Sequence, residues 1–418
     1  MPAAERRGRV GVMRIRYLLL HAYGTGGTIR TVFNQANAMA AAGHDVEVVS
    51  ALRRRDAPRF PLDARVRLSA LVDERNGSRD AAAESGPLAR VRAARRGREA
   101  AQAPVHVPRG EFGFDFFNRH VEKAVIDWLS DVRDGVLVST RPGLNFLVAK
   151  YARRQVMCVA QEHMNFKTYK KDIRAAITSL YHRFDAVAVL THGDREEYER
   201  VLPGTHVVRI PNAVHVMDQQ QHSTYANKVA VAAGRLFSQK GFDLLIPAFG
   251  QAVRENPDWQ LRIFGTGERH DELRALITEH ELYNHVFLMG HTTKLDDELA
   301  DASFYALSSR FEGLPMVMLE AMTHGLPVVS FDCPTGPGDV ITHGKDGLLV
   351  PPADVDAFAS AMSRLMADEG MRADMGAAAL ATARAAYSPE AVQPQWEQLF
   401  TELGSAEDAA APLAVRGE

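Results

Sequence analysis

Short apolar strands alternate with helical stretches along most of the chain, and the alternation runs twice with one polar interruption. Ile15 to His21 and Asp45 to Ser50 have the length and composition of buried strands, and an Ala-rich helix from about Ile29 to Ala42 joins them as a βαβ unit. Val136 to Thr140, Met157 to Gln161, Ala186 to Leu190 and Val207 to Ile210 continue the series, with helical segments between most of them. Strands that return through helices make a parallel sheet covered on both faces. Pro211 to Asn227 breaks the pattern and reads as a linker. A second set follows: strands at Val229 to Ala233, Gln260 to Phe264, Val286 to Met289, Phe304 to Ser308 and Val328 to Phe331, and helices at Phe242 to Glu255, Asp271 to His280 and Asp354 to Met366. The expected fold is α/β, two doubly wound Rossmann-like domains facing each other across a cleft. Residues 1–212 form the first and 213–388 the second. A helix over 389–403 packs back toward the first domain, and 404–418 is a disordered tail.

With 418 residues, 46% hydrophobic and 24% charged, the chain has core enough for two domains. A net charge of −3 argues against a nucleic-acid binder. Cys158 and Cys333 lie far apart in apolar surroundings, which suits reduced thiols of a cytoplasmic protein. No apolar run approaches the ~18 residues of a membrane span. The first dozen residues precede the strand pattern and do not read as a signal peptide, and Met13 is an alternative start. Arg53 to Arg109 departs from the neutral balance, with fourteen Arg against seven Asp and Glu, and Leu88 to Arg98 has the composition of a basic helix. That segment is either a solvated insertion or a surface for an anionic membrane or polyanionic acceptor.

The chemistry gathers where strands end. Gly24-Thr25-Gly26-Gly27-Thr28 follows the first strand and opens the first helix, so it is a phosphate or sugar cradle or simply a tight turn. It lacks the third glycine of a dinucleotide fingerprint and has no Walker lysine. Gly234-Arg235 through Lys240 follows the first strand of the second set, where two cations can hold two phosphates. Phe264-Gly265-Thr266-Gly267 is a second glycine-rich exit, and His163 follows a first-domain strand, as a sugar donor or as an ordinary histidine.

Glu312 and Glu320 flank the uncharged Gly313-Leu314-Pro315-Met316-Val317-Met318-Leu319. Eight residues of helix would separate them by roughly 12 Å, too far for a glycosidase pair. Different roles fit better, one near a reacting centre and one further along a ligand. A helix with two favourably placed acids is the plain alternative. His280-Glu281 and His285 miss metal-binding spacing, and Asp354-Val355-Asp356 reads as a helix cap, so no metal site is expected.

Taken in order, Gly26-Gly27, Gly234-Arg235-Leu236 with Lys240-Gly241, Phe264 to Gly267, Glu312 through Val329, and Asp346 to Pro351 resemble the retaining glycosyltransferases of family 4, which have the GT-B fold. The resemblance runs from Met13 to about Leu403. It implies an acceptor-side first domain and a second domain that binds a nucleotide diphosphate sugar, with UDP the commoner base. It implies that Arg235 and Lys240 bind the diphosphate, Glu312 touches the transferred sugar, Glu320 binds the ribose and His163 touches the donor sugar. It implies further that the backbone around Gly313, Leu314, Pro315, Met316 and Val317 holds sugar and phosphates, although Pro315 has no N–H to give. No metal or other cofactor is implied. The acceptor would be a hydroxyl of a cell-envelope glycan, a teichoic-acid-like polymer or a lipid-linked sugar, reached from the cytoplasm or the inner membrane face. Gly26-Gly27-Thr28-Ile29-Arg30 departs from the family's Gly-Gly-Ala-Glu-Arg. A nucleotide-sugar epimerase of the same fold and a non-catalytic glycan or polyanion binder are the competing readings.

Overall fold

The computed structural model describes residues 11–75, 87–214 and 222–410. The chain divides into two compact units, one of Met1–Val189, Arg195–Ile210 and Gln393–Glu418, the other of Leu190–Asp194 and Pro211–Val392.

The first unit is built on a seven-stranded sheet: β1 (Arg14–Leu19), β2 (Asp45–Arg53), β3 (Arg67–Asp73), β4 (Val136–Ser139), β5 (Met157–Gln161), β6 (Ala186–Val189) and β7 (Val207–Arg209), in the spatial order β3-β2-β1-β4-β5-β6-β7. All its pairings are parallel, Ile15 standing opposite Val46 on one side and Val136 on the other. β4 and β6 are buried along their whole length because helices cover both faces. The order reverses direction between β1 and β4, so the carboxyl ends of these two strands open a crevice that no crossover fills.

The second unit repeats the plan with β8 (Val229–Ala233), β9 (Gln260–Phe264), β10 (Val286–Gly290), β11 (Phe304–Leu307), β12 (Val328–Phe331) and β13 (Gly347–Val350), in the order β10-β9-β8-β11-β12-β13. Here the switch lies between β8 and β11, where Phe304 pairs with Ala230 and Tyr305 with Val231. The fold class expected from the sequence, two parallel Rossmann-like α/β sheets, is the one observed.

Several expectations need correction. The Arg-rich segment is not wholly an insertion: Arg67–Asp73 is an edge strand in which Arg67 pairs with Asp45 at 2.8 Å, and Arg75 just past it pairs with Asp73 at 2.6 Å. Charge on an edge strand blocks pairing with another chain. The basic helix runs Pro87–Ala100, and residues 76–86 lie outside the described residues. At the other end the helix Pro389–Ala410 passes Gly404, where a tail was expected. Buried Val392, Trp396, Leu399 and Phe400 keep a helical period, and Ser405 Oγ donates to the Thr401 carbonyl at 2.9 Å. The remaining tail, 411–418, lies outside the described residues. The first unit ends at Ile210 and resumes at Gln393, where bounds at 212 and 388 were expected, and Leu190–Asp194 belongs to the second unit.

Candidate active site

In the second unit the loop after β8 is set by backbone contacts. The Gly234 amide donates to Phe264 O at 2.9 Å and the Leu236 amide to Thr266 O at 3.0 Å. A Cβ on Gly265 would lie 1.8 Å from Gly234 O, and one on Gly267 would lie 2.5 Å from Leu236 O. Close packing of two strand-exit loops therefore accounts for both glycines. Beyond them a 3₁₀ turn, Ser238–Lys240, turns Lys240 inward while Arg235 stays exposed, its guanidinium 5.2 Å from the Phe237 ring. Among the described residues no carboxylate pairs with Arg235.

The loop after β11 is stitched to this turn. The Arg310 amide donates to Gln239 O at 2.8 Å, and Ser308 Oγ to Lys240 O at 2.8 Å. The Arg310 guanidinium donates to Ser238 O at 2.8 Å and to both oxygens of Asp243 at 2.8 and 2.7 Å, while Arg269 reaches Asp243 at 3.1 Å. Burial pushes the Asp243 carboxyl up, but these two guanidinium groups outweigh it and hold the group below its ordinary range.

Glu312 is 5% exposed. Its Oε1 receives Lys240 Nζ at 2.6 Å and Ser309 Oγ at 2.5 Å. Its carbonyl accepts Thr335 Oγ1 at 2.6 Å. Thr335 has φ 61°, and a Cβ on the following Gly336 would lie 2.4 Å from Gly313 O, so a second loop presses on the Glu312–Gly313 peptide. Cys333, on the same loop, is free and buried, and burial with the nearby Glu312 charge pushes its thiol up to about 12. That thiol is inert at neutral pH.

The helix expected between the two glutamates is shorter than assumed. It runs Met316–Thr323, with Pro315 at its N-cap, so Glu312 stands in the preceding loop and Glu320 within the helix. Pro315 stops the helix from extending backward, because the residue before a proline avoids helical angles. Leu314 is buried, and the amides of Met316 and Val317 lie in the first turn, where no intrahelical acceptor reaches them. Glu320 is 9% exposed.

The other candidates lie in the first unit. His163, Gly26 and Gly27 line a cavity of about 310 Å³ at the β1/β4 switch, with Leu19, Leu20, His21, Thr140 and Arg141. A Cβ on Gly26 or Gly27 would meet no protein atom within 4 Å, so packing does not demand that the loop be bare. The helix Gly27–Ala41 starts here with its first amides toward the opening. Both ring nitrogens of His163, and Nδ1 of His21, are buried without a hydrogen-bond partner. Burial, then the Arg141 charge, pushes His163 down to about 4, and burial with Arg55 and Arg54 lowers His21, so both imidazoles are neutral at pH 7.

Behind this wall, Glu162 accepts Tyr169 Oη at 2.5 Å and Asn145 Nδ2 at 2.9 Å, together with Tyr181 Oη. Burial raises its carboxyl to about 7 against those donors. Sequence reasoning missed Ser309, Arg310, Asp243, Thr335, Glu111, Arg141, His21 and Glu162. His21, Arg141, Glu162 and Ser309-Arg310 all stand at or just past strand ends, where strand-end reasoning could have found them; Glu111, Asp243 and Thr335 are brought in by tertiary contact.

Residues 217–382 match the family described as glycosyl transferases group 1, a span that holds Arg235, Lys240, Glu312 and Glu320. In three dimensions the chain resembles glycosyltransferases of GT-B fold: S. aureus TarM bound to Fondaparinux, alpha-GlcNAc-glycerol and UDP (TM-score 0.73, 16% identity, 93% of this chain and 100% of that one), and sucrose-phosphate synthase of Thermosynechococcus elongatus (TM-score 0.71, 20% identity, 94% and 100%). In sequence it is 34% identical over 412 residues to an exopolysaccharide phosphotransferase of Streptomyces coelicolor, covering 97% of this chain but only 42% of that protein. It is 26% identical to a poly(ribitol-phosphate) alpha-N-acetylglucosaminyltransferase of Staphylococcus aureus, over 65% of this chain and 56% of that protein.

Proposed function

We propose that the chain is a retaining, metal-independent glycosyltransferase of the group 1 kind, moving a hexosyl or N-acetylhexosaminyl group from a UDP-sugar to a hydroxyl of a cell-envelope polymer. The observation that carries the reading is the Lys240–Glu312 pair at the β8/β11 switch, 2.6 Å apart and inside the family-matched span. When the bond from the sugar carbon to the diphosphate breaks, negative charge grows on the leaving oxygen. Arg235 and Lys240 stabilise that charge more in the transition state than before it. Glu312 faces the sugar and offsets the positive charge that builds there, and Glu320 holds the ribose. The acceptor hydroxyl forms the new bond from the leaving-group face and gives its proton to a phosphate oxygen.

The relatives' names support envelope polymers as acceptors, and name transfer rather than epimerisation or passive binding. Among the described residues no helix is long and apolar enough to cross a membrane. Attachment to an anionic inner-membrane surface is assigned to the Arg-rich segment, whose helix exposes Arg95, Arg98 and Val91.

A panel of nucleotide sugars tested with envelope glycans checks the reading. It expects release of nucleoside diphosphate and an acceptor heavier by one sugar, both abolished by Glu312→Ala. Normal turnover by that variant removes Glu312 from the chemistry. Release of nucleoside monophosphate, with an acceptor heavier by a sugar phosphate, identifies phosphotransfer instead.

A further inference from the structure

The second unit has a cavity of about 380 Å³ where β9 and β10 begin, at the strand ends opposite the donor loops. Pro247, Val253 and Leu282 form its apolar floor, and Arg254, Glu281 and His285 stand around them. None of these residues serves the transfer chemistry.

The fold leaves the polar groups of this cavity unspent. His285 Nδ1 lies 3.2 Å from Trp259 O, and because a carbonyl only accepts, Nδ1 carries the proton and Nε2 is left as an acceptor. Arg254, on the helix Phe242–Glu255, and Glu281, past the helix His270–Glu279, are exposed charges of opposite sign on facing walls. Among the described residues neither has an ion-pair partner.

A projection stands beside the cavity. The amides of His285 and Val286 both donate to Leu282 O at 2.9 Å, closing a turn with Tyr283 and Asn284 at its tip. Leu282 anchors the turn on the helix, where a Cβ on Gly250 would lie 3.0 Å from its Cδ1. Tyr283 is therefore fixed, yet 64% exposed and outside its own cavity. Among its described residues the second unit exposes two other large apolar side chains, Phe311 next to Glu312 and Met289 on β10. β10 is an uncharged edge strand paired only with β9, so Tyr283 and Met289 mark one apolar, open side of the unit.

A tyrosine suits the cavity, since its ring covers an aliphatic floor while its hydroxyl donates to His285 Nε2. A surface that carries projection and hole side by side is complementary to a second copy of itself turned about a twofold axis. The charges agree. Glu281 is two residues from Tyr283, so a Tyr283 entering the other copy's cavity brings Glu281 to the rim that holds Arg254.

We propose that the second unit forms a twofold dimer through this face, with Tyr283 of each copy filling the cavity of the other and Glu281 of each facing the other's Arg254. Arg235, Lys240 and Glu312 lie at the other ends of the strands, so pairing leaves the donor loops open.

Sedimentation velocity of the full chain over about 1–100 µM should show a dimer with a Kd of about 10 µM or tighter. Tyr283→Ala should weaken it by about thirtyfold or more. Arg254→Glu and Glu281→Arg each set like charges across both contacts and should weaken it by about tenfold. Mixed in equal amounts, those two variants regain opposite charges at both contacts, and their mixed dimer should form within about threefold of wild type. Recovery in the mixture also shows that both variants are folded. The proposal is overturned if wild type is a monomer throughout that range, if Tyr283→Ala dimerises as wild type does, or if the mixture associates no better than either variant alone.

Discussion

Lys240 Nζ stands 2.6 Å from Glu312 Oε1, joining the loops that leave the two central strands of one sheet. The pair is mostly buried, with 19% of the lysine side chain and 6% of the glutamate side chain exposed. Removing one partner leaves the other charge poorly solvated, so the two residues act as a unit. Lys240→Ala is expected to lower kcat/KM for the donor by about 10²–10³. Glu312→Ala should cost at least as much, and the double variant no more than the worse single one. Steady-state kinetics of the three variants test this, and losses that simply multiply would show that the residues act separately.

Arg310 reaches no candidate ligand group, yet its fork binds Asp243 twice and the Ser238 carbonyl once, fixing the turn that presents Lys240. Arg310→Lys keeps the charge and loses the fork. It is expected to raise the donor KM by about five- to tenfold with a smaller effect on kcat. The Asp243 carboxyl is depressed in the folded state, so its contribution to stability is present above its unfolded pKa near 4 and is lost as pH falls through the folded value. Arg310→Ala leaves burial less opposed, and the midpoint of acid unfolding should move to higher pH. An unchanged midpoint would show that Arg269 alone holds the carboxylate.

Two adjacent residues make opposite contributions to pH dependence. Glu162 is raised from 4.5 to about 7, so between those values the folded state holds a proton that the unfolded state has released, and stability falls as pH rises. His163 is lowered from 6.5 to about 4, so below pH 6.5 the unfolded state takes up the proton, and stability falls as pH falls. Each slope approaches ~1.4 kcal/mol per pH unit, and they oppose one another between about pH 5 and 6. Wild-type melting temperature should change little there. Glu162→Gln should expose the histidine slope and melt lower on acidification, and His163→Asn should expose the carboxyl slope and melt higher. Parallel melting curves for all three proteins would contradict the assignment.

The alternation of strand and helix was enough to place both sheets, because a strand buried on two faces must be apolar throughout, as Ala230–Ala232 and Val187–Val189 are. Edge strand β3 was hidden because Arg67 and Asp73 carry the charges that an exposed edge tolerates. The loops after β8 and β11 were legible as strand exits rich in glycine and charge. Their stitching through Arg310 and Asp243 was not, since those residues lie 67 positions apart and meet only once the switch point forms. The first-unit cavity was still less visible: Arg141 and Glu111 are ordinary surface residue types, and only their 2.5 Å ion pair in the cavity wall sets them apart.

Thr335 supplies the most local test of how Glu312 is held. A β-branched residue at φ 61° is strained by about 1–3 kcal/mol, which persists only where surrounding contacts over-determine it. Here Thr335 Oγ1 lies 2.6 Å from the Glu312 carbonyl, its acceptor across the loop, and 2.7 Å from the neighbouring Pro334 carbonyl, while Gly336 packs on Gly313. The bond fixes the peptide plane between Glu312 and Gly313, and with it the direction of the carboxylate and of the chain entering the helix at Met316. Thr335→Val keeps the shape and removes the donor; Thr335→Ser keeps the donor. Turnover in the valine variant should drop by about tenfold, mainly in kcat, and the serine variant should recover most of it. A purely structural role would instead lower the melting temperature of the valine variant without separating kcat from KM, and serine would give no kinetic rescue.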